Sequence, residues 1–263
     1  SQGLSCAWVL AFLLGKKTFL RLRRRHFRLQ ARIILPSMAL GLSVFIMQAS
    51  ESVISVCFNS SLLRYGGDIA VGAMTILTSV MQFAMLPLQG LGQGAQPIIS
   101  YNYGARNAPR VKATFRLLLR ASLCYSILLW GCVMLFPQVF ASLFTADAAL
   151  LAYTQSALRV YMAALLLFGV QMACQMTFTS LGNAKASILV AVMRKFILLI
   201  PLIYILPQIL RADKTTAIYM AEPVADFLAV SFTVVLFTFQ FKKVLAQMAG
   251  DEKRDKGIRS QTE

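Results

Sequence analysis

The chain has 263 residues, of which 58% are hydrophobic and 14% are charged, and its mean hydropathy is +0.67. A soluble domain carries about 45–50% apolar and about 25% charged residues, so this composition excludes one and indicates a protein that crosses a membrane several times. The net charge of +16 suggests nucleic acid at first sight, but the positions of the charges make a nucleic-acid partner unnecessary.

The apolar runs predict an all-α integral membrane protein with six spans. Residues 1–20 contain an apolar run shorter than the about 20 residues that a span needs, and we interpret them as the end of a truncated helix. A basic loop at 21–32 follows, then a six-helix lobe at 33–241 and a charged tail at 242–263. The expected spans are approximately 33–63, 69–100, 117–144, 154–181, 187–210 and 216–241.

The lysines and arginines predict the orientation of these spans. Of the 26, all except Arg64, Arg159, Arg211 and Lys214 fall in alternate loops or in the C-terminal tail. Positive residues stay on the cytoplasmic side of a membrane, so we expect the basic loops and the C-terminus in the cytoplasm. The same charges would contact anionic lipid at that surface.

One stretch, PLQGLGQGAQPIISYNYGA at 87–105, combines helix-breaking and polar residues inside an apolar run. In a membrane, small residues let helices approach closely, so Gly90 and Gly94 predict a packing face. Pro87 and Pro97 predict a kink, which neighbouring helices or an aqueous cavity can tolerate. We therefore expect a kinked helix that lines a path through the membrane domain.

Several spans carry polar side chains at helical spacing, which places them on one face. Hydrogen bonds between helices are one explanation, at about 0.6 kcal/mol each. For the amides we favour a wet cavity, because each must satisfy both donors and acceptors. The predicted substrate pathway consists of Gln48, Asn59, Gln82, Gln89, Gln93, Gln171 and Gln175.

Three acids lie within the predicted spans: Glu51, Glu222 and Asp226. An ionised acid deep in a bilayer is costly, so such residues mark ion or proton paths or pair with a base. Glu222 and Asp226 are four residues apart and share a helical face. A carboxyl that hydrogen-bonds a neighbouring helix is the structural alternative. Ion or proton coupling is the functional one.

Residue types that form enzyme active sites and metal sites are scarce in the sequence. His26 is the only histidine and lies among arginines, and the five cysteines show no metal-ligand spacing. An intramembrane enzyme would need a nucleophile and a base, or metal ligands, at depth. We therefore expect no enzyme, no metal and no cofactor.

The segments GLGQGAQPIISYNYGA at 90–105, RYGGDIAVGAM at 64–74, LGNAKASILVAVMRKFILLIPLIYILP at 181–207 and EPVADFLA at 222–229 resemble the second half of the multidrug and toxic compound extrusion (MATE) family. The resemblance implies a twelve-helix exporter of two six-helix lobes in the plasma or inner membrane. It would export cationic, amphipathic compounds by proton or sodium antiport, and its N-terminal lobe would be absent from this chain.

The resemblance also implies residue roles. Glu51 would be the acid of the seventh helix, while the tenth helix offers Gln171 and Gln175 in place of an acid. Glu222 and Asp226 fit the acidic start of the last helix, and much of the coupling would lie in the first lobe. The alternative is a flippase of lipid-linked oligosaccharide from the same superfamily. Such a protein would line its cavity with cations, whereas Arg159, Arg194 and Lys195 are expected near span ends.

Overall fold

The computed structural model describes the backbone of residues 2–14, 31–182, 189–210 and 213–262. It describes side-chain surroundings for 2–13, 49–182, 189–210, 213–248 and 250. The regular elements in these ranges are all helical, which confirms the predicted all-α membrane fold. The chain divides into two compact units, Ser1–Glu51 and Ser52–Glu263, and most of the predicted loop 21–32 lies outside the described residues.

The first unit contains helix α1, Gln2–Leu14, and the beginning of helix α2. The large apolar side chains of α1 are exposed, among them Leu4, Trp8 and Phe12. Exposed apolar side chains of this kind suit a helix that contacts lipid or another helix.

Helix α2, Ala31–Gly104, covers the first two predicted spans. A straight helix of its 74 residues would be about 110 Å long, whereas the hydrocarbon core of a bilayer is about 30 Å thick. The helix is broken at Gly67, where φ is 67° and ψ is −163°. Only glycine adopts this conformation readily, so Gly67 divides α2 into two segments that match the two predicted spans.

The next elements are α3, Ala108–Leu135, and the short α4, Pro137–Ser142. Asn107 caps α3 by accepting from the backbone N–H of Arg110 at 3.1 Å, and a proline follows at the start of the helix. The predicted span 69–100 therefore ends too early and the predicted span 117–144 starts too late, because α2 reaches Gly104 and α3 starts at Ala108. Capping by asparagine and a proline in the first turn explain this early start.

The fourth predicted span is a broken helix. Helix α5, Ala148–Tyr161, is followed by a 3₁₀ turn, Leu165–Leu167, and by α6, Phe168–Ser180, with a bend of 44° between the two parts. The indole N–H of Trp130 donates to the backbone oxygen of Ala163 at 3.1 Å. Broken helices persist at membrane depth when neighbouring groups satisfy the freed backbone, and Trp130 does so here.

Helix α7, Leu189–Ile209, contains a π-helical segment, Met193–Leu199. Pro201 follows this segment. Because proline has no N–H and its ring clashes with the carbonyl four residues earlier, the backbone ahead of it widens into π geometry. Helix α8, Lys214–Thr262, completes the fold and continues through the predicted tail at 242–263.

Four described helices are long and apolar enough to cross a membrane, and the bent pair α5–α6 makes a fifth span. In that count α2 is treated as a single span. Its break at Gly67 leaves two segments that each exceed the about 20 residues of a span. With α2 counted as two, the described helices are numerous and long enough for six spans, and the six-helix lobe at 33–241 stays a prediction.

The second unit packs around two apolar clusters. The larger one includes Phe58, Leu77, Leu158, Ile203 and Ile218, and thus joins α2, α5, α7 and α8. The smaller one joins α2, α3, α6 and α8 around Ile99, Val111, Phe178, Phe237 and Phe241.

A Cβ at Gly90 or Gly94 would meet nothing within 4 Å in the described chain, so the predicted packing face at these residues stays a prediction. Gly92 makes a close approach, because its Cβ would lie 2.5 Å from Cγ of Met176 on α6. The alternate spacing of the glycines puts Gly92 on the opposite face of the helix. The residue of α2 with non-helical φ/ψ is Gly67, and α2 is continuous through Pro87 and Pro97, so the kink at these prolines stays a prediction.

Candidate functional site

Three charged residues of α7 and α8 form an ion triad in the second unit. The guanidinium of Arg194 donates from Nη2 to Oε1 of Glu222 at 2.9 Å and from Nε to Oδ1 of Asp226 at 2.5 Å. Asp226 is 2% exposed and Glu222 is 7% exposed. Charge-assisted bonds of this length are among the stronger ones in proteins, so the triad ties α7 to α8.

The local structure of both helices positions these side chains. Arg194 is the second residue of the π-helical segment. Glu222 and Asp226 stand one helical turn apart on α8, so both carboxylates face the same side. The guanidinium also lies 5.2 Å from the ring centre of Phe168, the first residue of α6. The broken span and the π-helical span therefore converge on the triad.

Within the triad, two carboxylates face one guanidinium, so the three groups carry one net negative charge when both acids are ionised. Among the described residues, Oδ2 of Asp226 is buried and has no hydrogen-bond partner. A buried acceptor without a partner is costly, and a net charge in a membrane interior is costlier. Protonation of Asp226 would neutralise the net charge of the triad.

The sequence predicts Arg194 only as one of the basic residues near a span end, and it does not predict the role of Arg194 in the triad. The structure sets it within α7 and pairs it with two buried acids. The available signal was an arginine in a strongly apolar run opposite two acids in the next span, since intramembrane charges usually pair.

A second feature, the glutamine face, consists of Gln82, Gln89 and Gln93 on α2. All three are exposed, and their spacings of seven and four place them on one side of the helix. The opposite side carries Ala84 and Leu88, which are 2% and 0% exposed. The glutamine face thus points away from the apolar clusters of the unit.

The other predicted pathway residues have different surroundings. Asn59 is exposed, Gln175 is half-buried and Gln171 is 7% exposed. In the described part of the chain the side-chain oxygen of Gln171 has no hydrogen-bond partner. Glu51 is exposed at the end of the first unit, and the side chain of Gln48 lies outside the described surroundings. Within the searched, described residues no group of three or more His, Cys, Asp or Glu could hold a metal ion.

The chain is similar to a family of membrane transporters and to several multidrug export proteins. The MatE family model matches residues 43–205. The multidrug export protein MepA of Staphylococcus aureus is 26% identical over 167 residues, which are 64% of this chain and 36% of MepA. MepA of Staphylococcus haemolyticus is 24% identical over 191 residues, which are 72% of this chain and 42% of that protein.

Solved structures show the same fold. A MATE protein in a bent conformation superposes with a TM-score of 0.81 at 18% identity, covering 94% of this chain and 55% of that one. The MATE multidrug transporter DinF-BH is 33% identical with a TM-score of 0.76, covering 93% of this chain and 54% of its own. The chain thus spans about half of the solved transporters and less than half of the MepA proteins.

The family model covers more than half of the chain, and its match begins within the first predicted span of α2 and ends within α7. The helical membrane fold agrees with it. The chain therefore belongs to the MATE family of multidrug efflux transporters, which are membrane transporters and not enzymes.

Proposed function

We propose that this chain is one lobe of a multidrug exporter that moves small cationic or amphipathic compounds out across the plasma membrane. The observation that carries the proposal is the glutamine face of α2. Three amides exposed away from the core cannot face lipid cheaply. They suit an aqueous path, in which amides can hydrogen-bond both water and a passing solute.

A second lobe completes the proposed path. The solved relatives are about twice as long as the matched region, and transporters of this kind hold their substrates between two halves that rock against each other. We place the glutamine face and Asn59, which belong to the same unit, along that path. Gln171 and Gln175 would be reached from it only through water inside the lobe, because Gln171 is buried.

For the energy source we propose proton or sodium antiport through the ion triad. One monovalent cation would balance the net negative charge of the triad and give a partner to the buried oxygen of Asp226, which has none in the described chain. A proton would bind that oxygen directly, and sodium would need further oxygen ligands. Glu51 remains a second candidate, and the other lobe could supply a third.

The flippase alternative is disfavoured by the same contacts. A lipid-linked pyrophosphate needs cationic side chains that are available to it. Arg194 in the interior of the lobe is already bound by two carboxylates, so the charge around it is net negative.

The pathway can be tested by dye export from proteoliposomes that contain the native transporter. We expect Gln89→Leu and Gln93→Leu to reduce export of a fluorescent cationic dye at unchanged protein level. Gln138→Leu is the matched control, since Gln138 is also exposed but lies on α4. Equal export by all three variants would remove the glutamine face from the pathway.

Coupling is tested by imposing a pH gradient or a sodium gradient separately. We expect one of them to drive dye export, and Asp226→Asn to abolish that response if the triad carries the ion. Gradient-driven export that survives Asp226→Asn would place coupling at Glu51 or in the other lobe. Movement that needs neither gradient would favour the flippase.

A further inference from the structure

Two buried side-chain oxygens, one on α6 and one on α8, have no hydrogen-bond partner in the described chain. The first is Oε1 of Gln171, a residue that is 7% exposed. The second is Oδ2 of Asp226 in the ion triad. Both atoms are acceptors, and an acceptor buried without a donor is costly. One donor between them would satisfy both oxygens if the two side chains face each other.

Contacts at two levels show that α6 and α8 run side by side in the same direction. At the first level Arg194 connects the helices, because it bonds Asp226 and lies 5.2 Å from the ring centre of Phe168. At the second level the ring centroids of Phe178 and Phe237 are 5.1 Å apart. Phe178 follows Phe168 by ten residues, and Phe237 follows Asp226 by eleven. Both helices therefore advance by about 15 Å between the two levels, so Asp226 is level with the start of α6.

Helical spacing puts Gln171 on the face of α6 that packs against α8. Gln171 precedes Phe178 by seven residues, which is about two turns. Asp226 precedes Phe237 by eleven residues, about three turns, so it also lies on the contacting face. Gly169 is on the opposite face of α6, where a Cβ would lie 2.5 Å from the backbone of α3. Helical side chains lean toward the N-terminus, so the amide of Gln171 covers the start of α6, at the level of Asp226.

The charges around Asp226 favour a proton over a metal ion between the two oxygens. The charged neighbours are Arg194 from α7 and Glu222 from α8, and the phenol of Tyr161 at the end of α5 interacts with Arg194. A sodium ion would be repelled by the guanidinium and would need several oxygen ligands. The searched, described residues contain no group of three or more His, Cys, Asp or Glu that could hold a metal ion. A proton needs only Oδ2 and one acceptor, which Gln171 supplies.

We propose that the coupling ion of this lobe is a proton on Oδ2 of Asp226, and that Gln171 is a positioning residue that accepts its hydrogen bond. The inference rests on the proposed antiport, and it names the ion and a residue that controls its binding. The proton is taken from water on one side of the membrane and returned to water on the other, and no other bond changes. A hydrogen bond to the protonated form favours that form. Gln171 thereby sets the pH range in which the lobe carries its proton.

The test is infrared difference spectroscopy of the native transporter, titrated between about pH 4 and pH 9 without dye or gradient. We expect a protonated-carboxyl band that Asp226→Asn removes. Gln171→Met keeps the length of the side chain but removes the acceptor. It should weaken proton binding about three- to tenfold, the effect of one hydrogen bond, and lower the midpoint of the band by about 0.5–1 pH unit. Gln175→Met, one turn farther along α6, is the matched control and should leave the midpoint unchanged.

Gln171→Glu tests the same contact in the opposite direction and does not depend on the folding of Asp226→Asn. A carboxyl opposite Asp226 adds a second negative charge, so the pair should hold a proton to higher pH. A packing role alone predicts no opposition in sign between Gln171→Met and Gln171→Glu. Shifts of the same sign in these two variants, or equal shifts in Gln171→Met and Gln175→Met, would overturn the role of Gln171. A midpoint that falls as sodium is added would overturn the proton in favour of sodium.

The spectra separate this inference from the proposed function, because they report protonation and not export. Export that fails while the band of Asp226 titrates as expected would count against the exporter and support the proton site. Export that proceeds while Asp226 shows no titrating band would overturn the proton site and leave the exporter in place.

Discussion

Nε of Arg194 lies 2.5 Å from Oδ1 of Asp226, although the two residues are 32 positions apart in the chain. This bond joins the π-helical segment of α7 to the buried side of α8. A membrane interior solvates charges poorly, so the two opposite charges stabilise each other by forming an ion pair. The pair therefore fixes how α7 and α8 pack, and it is the contact whose loss should be most damaging.

We expect Arg194→Met to destabilise the native transporter by about 3–5 kcal/mol, the usual cost of leaving buried charges without a partner. The measurement is the midpoint of thermal unfolding in detergent at neutral pH. Dye export should fall as well, because α7 and α8 lose their connection.

Combining Arg194→Met with Glu222→Gln and Asp226→Asn removes all three charges at once. Replacing a whole buried ion group is often nearly neutral, so the triple variant should regain most of the lost stability. Arg194→Met with a wild-type midpoint, or a triple variant less stable than Arg194→Met, would contradict the triad as a structural link.

The positions of the two acids on α8 and of the three glutamines on α2 could be predicted from the sequence. The buried acids and the exposed glutamines follow from composition and helical spacing, which are local properties. Arg194 could not be placed in that way, because its partners are 28 and 32 residues away. Positive charges near span ends normally mark topology, and only tertiary packing shows that this one points inward.

The break in the fourth span also could not be predicted from the sequence. Residues 162–167 read MAALLL, and alanine, leucine and methionine are good helix formers, yet the fourth span breaks there. The hydrogen bond from Trp130 to Ala163, 33 positions apart, exists only in the folded lobe. In the same way, the packing role of Gly92 depends on the position of Met176.

Gly169 offers a direct test of close helix packing. A Cβ there would lie 2.5 Å from the backbone oxygen of Ser122 and 2.8 Å from Oγ of Ser126. Because backbone cannot yield easily, Gly169→Ala should destabilise the native transporter by about 1–3 kcal/mol. Gly131→Ala on α3 is the control, since nothing lies within 4 Å of its Cβ. It should be neutral or stabilising by about 0.5–1 kcal/mol. Similar midpoints for the two variants would rule out this close approach.

Substitution of Gly67 tests whether α2 is broken at this residue. Its φ of 67° and ψ of −163° strain any residue with a Cβ, at a cost on the order of 1–3 kcal/mol. Gly67→Ala should therefore lower the thermal midpoint even though nothing lies within 4 Å of the position. Gly72→Ala serves as the control, because its Cβ would make ordinary contact with Leu150 at 3.5 Å. A neutral Gly67→Ala would mean that α2 does not turn through this conformation.

Asp213, which precedes α8, gives a prediction for pH dependence. Its carboxylate accepts from the hydroxyl of Thr216 at 2.5 Å, from the N–H of Thr216 at 3.0 Å and from the N–H of Thr215 at 3.1 Å. The hydroxyl of Thr216, and after it the backbone N–H of Thr216, hold the pKa of Asp213 below its ordinary value. The ionised carboxylate therefore stabilises the start of α8 as a helix cap.

A lowered pKa in the folded state means that the stabilisation is fully present above the ordinary pKa of aspartate, about 3.9. It is lost as the pH falls through the lowered value. We therefore expect Asp213→Ala to cost about 0.5–2 kcal/mol at neutral pH and progressively less below about pH 4. Thermal midpoints of both proteins across this range measure the difference. Thr216→Val removes the largest cause of the pKa shift and should move the loss of stabilisation to higher pH. A difference between wild type and Asp213→Ala that stays constant down to the lowest pH would contradict capping by the carboxylate.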